Sequence, residues 1–448
     1  MNDLKPGGII VGGMRSSDGK TAMTCALLAA LAERGLPIQP FKVGPDFIDP
    51  GYHTRISGMK SRNLDAWLMG SSNIRSEIGR HGAGKFSIVE GVMGLFDGSE
   101  TLSDDGSTMA LARLLNWPVV LVLSSVKAGR SLAAAVRGFI AEAGRDRIAG
   151  VILNGVAGNT HSEYLREAIA PLKLPVYGAV PICEQLSWPE RHLGLRASQE
   201  SIFPTRNELA MLAEKFIDVT AIADLMQPPP PLSYEPVQPA SNVRIAIARD
   251  EAFHFYYQAN LDYLQSAGAE LIEFSPIHDT ELPPKIDGLM IGGGFPELFS
   301  ERLSQNREIR TQIREAVSNG LCCYAECGGL ILLSQELIDL KGNRFPMAGV
   351  LPGKVEMTTT RQHFGYCECT GYAAAPDASF RGHEFHHSRW LDEKAFANLW
   401  TVRRKRLGAK RTEGFRKGLL HASYVHLYFA ESEIAIAPLL QKREATTL

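Results

Sequence analysis

Apolar residues come in short consecutive runs along the first half of the chain: GGIIVGG, PIQPFKV, FSIVEGV, PVVLVLSS, GVILNGV and PVYGAVP. Runs that are apolar on successive positions, rather than on alternate ones, predict strands covered on both faces. Helical stretches lie between them, the clearest being TAMTCALLAALAERG, so the pattern predicts an α/β domain built on a doubly wound parallel sheet. At PPPPLSYEPVQP, residues 228–239, half of the positions are proline, which fixes φ and lacks a backbone donor. That segment reads as a linker between domains, the alternative being a surface loop within one. Beyond it the pattern restarts with VRIAIARD, a helical FYYQANLDYLQSAG, ELIEFSP, GLMIGGG, a helical stretch near residues 301–319, and LCCYAEC. The expected organisation is therefore a first domain over 1–227, a proline-rich linker over 228–241 and a second α/β domain over 242–448.

Composition narrows the classes. The chain has 448 residues, enough for two or three cores, and 47 Lys and Arg stand against 49 Asp and Glu for a net charge of -2. No global field recruits nucleic acid or an anionic membrane, so anionic ligands must be held locally. No apolar run approaches the length of a membrane span, and MNDLKPGGII lacks the basic start and apolar stretch of a signal peptide. A cytoplasmic protein is expected, monomeric or homodimeric, with its seven cysteines as thiols.

The strand GGIIV runs into Gly12-Gly13-Met14-Arg15-Ser16-Ser17-Asp18-Gly19-Lys20-Thr21 and then into an Ala/Leu-rich helix. This is the setting of a phosphate-binding loop. Backbone N–H groups and the helix start can wrap phosphate oxygens, Lys20 can reach the outer phosphates, and Thr21 can ligate Mg²⁺. Gly13, Ser16, Gly19, Lys20 and Thr21 are the candidate ATP contacts of the loop, although five residues rather than four separate Gly13 from Gly19. A tight turn before a capped helix is the plain alternative. Asp46 and Asp49 follow the second strand, Glu90 ends FSIVE, and Asp97 lies in GVMGLFDG. Carboxylates at the carboxyl ends of parallel strands converge on the crevice where nucleotides bind, which makes Mg²⁺ ligation an expectation; solvated loop acids are the alternative.

In the second domain Cys327 ends an apolar strand and is followed by Gly328-Gly329 and a helical run. A nucleophile on such a sharp turn is exposed to substrate, and Gly328 lets a backbone N–H face an incoming carbonyl. The loop Gly292-Gly293-Gly294 can supply a second oxyanion donor, and His426 in SYVHLYF is the candidate base. A buried structural cysteine is the competing reading. His383-Glu384-Phe385-His386-His387 satisfies the HExxH zinc spacing, but its flanks predict a strand or loop rather than the helix that spacing needs. Cys322, Cys323, Cys367 and Cys369 lack a paired CxxC spacing and read as packing residues.

The string GGMRSSDGKT, FKVGPDFIDPGYH, SRNLDAW, VEGVMGLFDG, GVILNGV, WPERHLGL, GGGFPELF, YAECGGL, GHEFHHS and SYVHLYF, in this order over nearly the whole chain, resembles the cobyrinic acid a,c-diamide synthase family. The resemblance implies an N-terminal ATP-dependent amide synthetase similar to dethiobiotin synthetase and a C-terminal class I glutamine amidotransferase. It implies amidation of the a and c acetates of a cobyrinate-like tetrapyrrole in corrinoid synthesis, with ATP and L-glutamine as cosubstrates, Mg²⁺ as cofactor and acyl phosphate intermediates. On this reading Asn154 joins the ATP contacts, Thr21, Asp46 and Glu90 hold the metal, and Lys42, Asp49 and Asp97 serve substrate activation. Cys327 and His426 work as a dyad, with Gly293, Gly294 and Gly328 around the glutamine, and ammonia takes a covered passage between the domains. GHEFH faces the macrocycle or the domain interface, or is structural.

The chain departs from the family at Ser17, where glycine is usual, at Ser124, where Asp is common, and at Gly155, where a larger residue is common. Tyr428 stands where many triad amidotransferases carry a Glu two positions after the His. Two other readings remain: the same chemistry on hydrogenobyrinate or a nickel or iron sirohydrochlorin, and a P-loop regulatory ATPase whose amidotransferase-like domain is inactive.

Overall fold

The six apolar runs of the first half become six strands of a seven-stranded parallel sheet, joined by the unforeseen edge strand Arg62–Leu64, in the computed structural model, which describes residues 6–99, 103–186, 188, 190–191, 194–195, 203–230, 241–391, 399–404 and 408–442. The chain divides into two compact units, Met1–Glu235 and Pro236–Leu448. Most of the proline-rich segment, residues 231–240, lies outside the described residues.

The strands of the first unit are β1 (Gly8–Gly13), β2 (Ile38–Val43), β3 (Arg62–Leu64), β4 (Phe86–Glu90), β5 (Val119–Ser124), β6 (Ile148–Val156) and β7 (Val176–Pro181), in the order β3-β2-β4-β1-β5-β6-β7. Every pairing is parallel. Ile9, Ile10 and Val11 of β1 are fully buried, as a strand covered on both faces requires. The helix after β1, α1 (Lys20–Glu33), explains its Ala and Leu content in the same way. It is buried on nearly every side, against α2 (Asp49–Ser57) and against the helix Arg206–Phe216, so small apolar residues are needed all round. Because the chain crosses from β1 over β4 to β2, the carboxyl ends of β1, β2 and β4 share one edge at a reversal of strand order. That is where a doubly wound sheet binds its ligands.

The second unit has a six-stranded sheet in the order Ala269–Phe274, Val243–Ala248, Gly288–Ile291, Cys322–Glu326, Leu420–Ser423, Phe415–Lys417. All its pairings are parallel except the last. Two details differ from the expectation. The segment FYYQANLDYLQSAG is helical only over Gln258–Ser266, because Phe253–Phe255 pairs instead with Gly293–Gly294. The stretch near 301–319 is two helices, Ser300–Gln305 and Arg307–Ser318; Asn306 leaves helical geometry between them, and its side chain donates to the carbonyls of Pro276 and Asp279. A five-stranded antiparallel sheet was not foreseen. It runs Lys410–Glu413, Trp400–Arg404, His363–Tyr372, Ala375–His386, His426–Leu427 and places HEFH on a strand, where extended backbone sets residues four apart about 13 Å from each other, too far to share one zinc ion as a single helical turn allows.

Candidate functional site

At the sheet edge of the first unit, the turn after β1 is held by Asp18, which is fully buried and accepts from the backbone N–H groups of Met14 (2.8 Å) and Arg15 (3.0 Å). Lys20 opens α1 and folds back, its Nζ donating to the Arg15 carbonyl at 3.0 Å. Asn154, at the end of β6, donates to the Asp18 carbonyl at 3.0 Å and lies so close to Gly19 that a Cβ there would sit 2.1 Å from its amide nitrogen. Only glycine, here at φ 94, fits. The loop therefore brings Gly13, Gly19, Lys20 and Asn154 together, while Ser16 is exposed beside them. Ser17 takes φ 65, a left-handed conformation that costs a non-glycine residue about 1 kcal/mol. The backbone retains the shape that a glycine would adopt freely.

Below the loop the charges are concentrated. Thr21 Oγ1 donates to Glu90 Oε1 at 2.7 Å. Lys42 Nζ reaches Glu90 Oε1 (3.0 Å), Asp49 Oδ2 (2.7 Å) and the Gly91 carbonyl (2.9 Å), with Asp46 Oδ2 at 3.9 Å. His53 Nε2 closes on Glu90 Oε2 at 2.6 Å and its Nδ1 on Ser61 Oγ at 3.2 Å. Lys42, Glu90 and His53 are buried. Burial opposes ionisation of Glu90, yet the Lys42 charge and the His53 and Thr21 hydrogen bonds outweigh it and hold its carboxyl below the usual range. Burial, and then the charges of Asp46 and Glu90, push the Asp49 carboxyl up. Lys20 is lowered, first by burial and then by the Lys42 charge.

Asp46 is partly committed to its own turn, accepting from the N–H groups of Ile48 (2.8 Å) and Asp49 (3.0 Å). Asp97 is exposed and caps its own turn through the Gly94 N–H at 2.8 Å, and that turn adjoins the loop, since Leu95 donates to the Gly13 carbonyl. No group of three or more His, Cys, Asp or Glu side chains able to hold a metal occurs among the described residues. The oxygen donors of Thr21, Asp46 and Glu90 nevertheless suit Mg²⁺, which takes one or two protein ligands and completes its shell with phosphate and water.

Glu90 is thus part of the fold as well as of the edge. A Glu90→Gln variant keeps the shape but leaves the Lys42 ammonium and His53 without their charged partner, and is expected to lose about 3 kcal/mol of unfolding free energy in this unit. Because the Glu90 carboxyl is held low, its contribution is fully present above the ordinary carboxylate range and is lost as pH falls below that range toward the depressed folded-state pKa. Denaturant unfolding of variant and wild type at neutral pH checks this; equal midpoints would mean that the cluster does not hold the fold.

In the second unit Cys327 sits between the strand Cys322–Glu326 and the short helix Gly328–Leu333 at φ 47, ψ -99, a strained conformation of the kind that marks a nucleophile turn. Its N–H donates to the Ser423 carbonyl at 2.7 Å. The neighbouring glycines are needed for close approach. A Cβ on Gly293 would lie 2.8 Å from His426 Cε1, one on Gly294 would lie 1.9 Å from the Ala252 carbonyl oxygen, and one on Gly328 would lie 3.0 Å from the Gly294 nitrogen. Gly293, Gly294 and Gly328 therefore meet beside the Cys327 turn.

His426 is buried and its side chain hydrogen-bonds that of Cys327. Burial alone would lower its pKa, but the hydrogen bonds and charges of Cys327 and Glu326 lift it to about 10. Glu326, which sequence reasoning passed over, meets His426 Nδ1 through Oε2 at 3.0 Å. His383 of the GHEFH segment stacks on His426, ring centroids 4.9 Å apart and planes 15° apart, and its Nε2 lies 2.5 Å from the Tyr257 hydroxyl. His386 stacks on Tyr424 at 3.8 Å, and Glu384 pairs with Arg411.

Residues 9–195 match the family described as the CobQ/CobB/MinD/ParA nucleotide binding domain, and residues 244–434 the CobB/CobQ-like glutamine amidotransferase domain. The chain is 39% identical to a protein of Synechococcus sp. named cobyrinate a,c-diamide synthase, covering 98% of this chain and 99% of the relative. Proteins of the same name from Synechocystis sp. and Priestia megaterium are 41% and 38% identical, covering 94% and 95% of this chain and 90% and 94% of theirs.

Proposed function

The chain belongs to the cobyrinate a,c-diamide synthase family, whose members are glutamine-dependent amidotransferase ligases, and from that premise we propose that it converts the a and c acetate carboxylates of cobyrinate into amides through acyl phosphates. Nucleotide binding belongs to the first unit and glutamine amidotransfer to the second. The observation that carries the reading is the Cys327–His426 contact on a nucleophile turn, in the same chain as the Lys20 loop. A regulatory ATPase would have no use for it.

In the proposed reaction Cys327 Sγ bonds to the side-chain carbonyl carbon of glutamine as its proton passes to His426. The C–N bond then breaks, and ammonia leaves with the proton that His426 returns. Gly328 and the Gly293-Gly294 segment face the developing oxyanion, and water cleaves the thioester to release glutamate and the thiol. At the other site a carboxylate oxygen attacks the γ-phosphorus of ATP, ADP departs, and ammonia displaces phosphate from the acyl carbon. Lys20 neutralises the moving phosphoryl group, while the loop N–H groups and Asn154 hold the nucleotide. Lys42 and Asp49 orient the acetate, and Asp97 approaches from the adjoining turn. Mg²⁺, held through Thr21, Asp46 and Glu90, would supply charge neutralisation at the transferring phosphate. No described helix is long and apolar enough to cross a membrane, and the soluble substrates suit a cytoplasmic enzyme.

Incubation with ATP and glutamine against cobyrinate, hydrogenobyrinate and metal sirohydrochlorins separates the substrates. The expected result is a diamide from cobyrinate, read as two carboxylates converted by mass spectrometry. ATP hydrolysis without any amide product from the panel would overturn the proposal.

A further inference from the structure

We propose that Glu326 is the positioning carboxylate of the amidotransferase site, completing a Cys327–His426–Glu326 relay from the residue directly before the nucleophile. The inference rests on the dyad reading of Cys327 and His426, and deepens it. The place two residues after the histidine holds Tyr428, which has no carboxylate to offer. Glu326 fills that role from another direction: it ends the strand Cys322–Glu326, is buried, and turns Oε2 onto His426 Nδ1 at 3.0 Å.

Its other oxygen is fixed. Oε1 accepts from the Tyr324 hydroxyl at 2.6 Å and from the Leu427 N–H at 3.2 Å. Two donors on Oε1 leave Oε2 to accept from Nδ1–H of His426, so the ring's Nε2 is the nitrogen left for the cysteine. This sets the tautomer: with the proton on Nδ1, Nε2 is free to take the proton of the Cys327 thiol, and the resulting imidazolium is stabilised by the Glu326 charge. Tyr324 lies two residues before Glu326 on the same strand face, and its ring is stacked on His421 at 4.5 Å. Glu326 therefore cannot rotate without breaking a second contact.

The groups facing His426 are few. Glu326, backed by Tyr324, comes from the parallel sheet, and Cys327 from the turn. His383, held by Tyr257, and His386 come from the antiparallel strand Ala375–His386. Burial first, and then the charge of His426, keep His383 well below its usual pKa, and burial does the same for His386, so neither competes for the proton.

A Glu326→Gln variant tests the inference. Its amide oxygen is claimed by Tyr324 and Leu427, which turns the amide N–H₂ toward Nδ1 and favours the tautomer whose Nε2 already carries a proton. Glutamine hydrolysis is expected to fall about 100-fold in kcat with little change in KM, and the alkaline limb of its pH profile to move to lower pH. Glu326→Asp should recover part of the rate. Synthesis from ammonium at alkaline pH should be unchanged in both. If Glu326→Gln does not fold, Tyr324→Phe decides: it removes one donor to Oε1 and should show the same alkaline shift to a smaller extent. A wild-type pH profile and kcat in whichever of the two variants folds would overturn the role of Glu326. Cys327→Ser, assayed alongside, separates this from the underlying reading: if that variant hydrolyses glutamine normally, the dyad itself is wrong, whatever Glu326 does.

Discussion

A Lys20→Ala enzyme is expected to make no detectable diamide from tetrapyrrole, ATP and glutamine while it still hydrolyses glutamine. The side chain is buried at the start of α1, and its Nζ is held on the Arg15 carbonyl, where it closes the loop that would wrap the phosphates. Phosphoryl transfer leaves little covalent work to a protein, so its catalysis is mostly positioning and charge stabilisation, and one missing donor costs about 100- to 1000-fold in rate. Thr21, Glu90 and Lys42 remain in place in the variant, and they bond to one another rather than to Lys20. The unit should therefore still fold. Glutamate release draws on Cys327 and His426 of the other unit and should survive at least in part. Product analysis by mass spectrometry, beside a glutamate assay, checks both halves. Synthesis at the wild-type rate would mean that Lys20 is only the first residue of a helix.

How much of this was legible in the sequence depends on whether a residue acts through local or distant neighbours. Six of the seven parallel strands could be anticipated from runs of mostly apolar residues, and α1 from its Ala/Leu content, whereas the short edge strand Arg62–Leu64 is largely polar and gives no such signal. The antiparallel sheet could not. The pairing of His363–Tyr372 with Ala375–His386, and of the latter with His426–Leu427, depends on partners far apart in sequence. At the sites, the Lys20 loop and the Cys327 turn carry local glycine patterns that point to backbone geometry, whereas His53 and Asp18 carry none. His53 matters because β4 delivers Glu90 to its ring, and Asp18 because it gathers the N–H groups of Met14 and Arg15. For Glu326 a signal was present in YAEC: an acidic residue buried at the end of an apolar strand needs a charged or donating partner, and a strand end beside a candidate nucleophile is a place to look for one. The expectation that such a carboxylate follows the histidine drew attention to Tyr428 instead. The turn bond of Asp97 to the Gly94 N–H is a further local contact that its position after a strand did not signal.

The central claim is that two chemistries, joined by ammonia, are carried by separate residues of one chain. Cys327→Ser addresses it most directly. Serine is close in volume and is easily housed on the turn, but its hydroxyl is far harder to deprotonate near neutral pH than a thiol, even with His426 beside it. Attack on glutamine should fall by about 1000-fold or more, and glutamine-dependent synthesis with it. The ATP-binding loop is untouched. The deciding measurement is the amidation rate of this variant with cobyrinate and ATP, first with glutamine and then with concentrated ammonium at alkaline pH, which supplies neutral ammonia. The account predicts almost no product with glutamine and a rate close to that of the wild-type enzyme with ammonium. Normal turnover with glutamine, or a folded variant that ammonium cannot rescue, would contradict it.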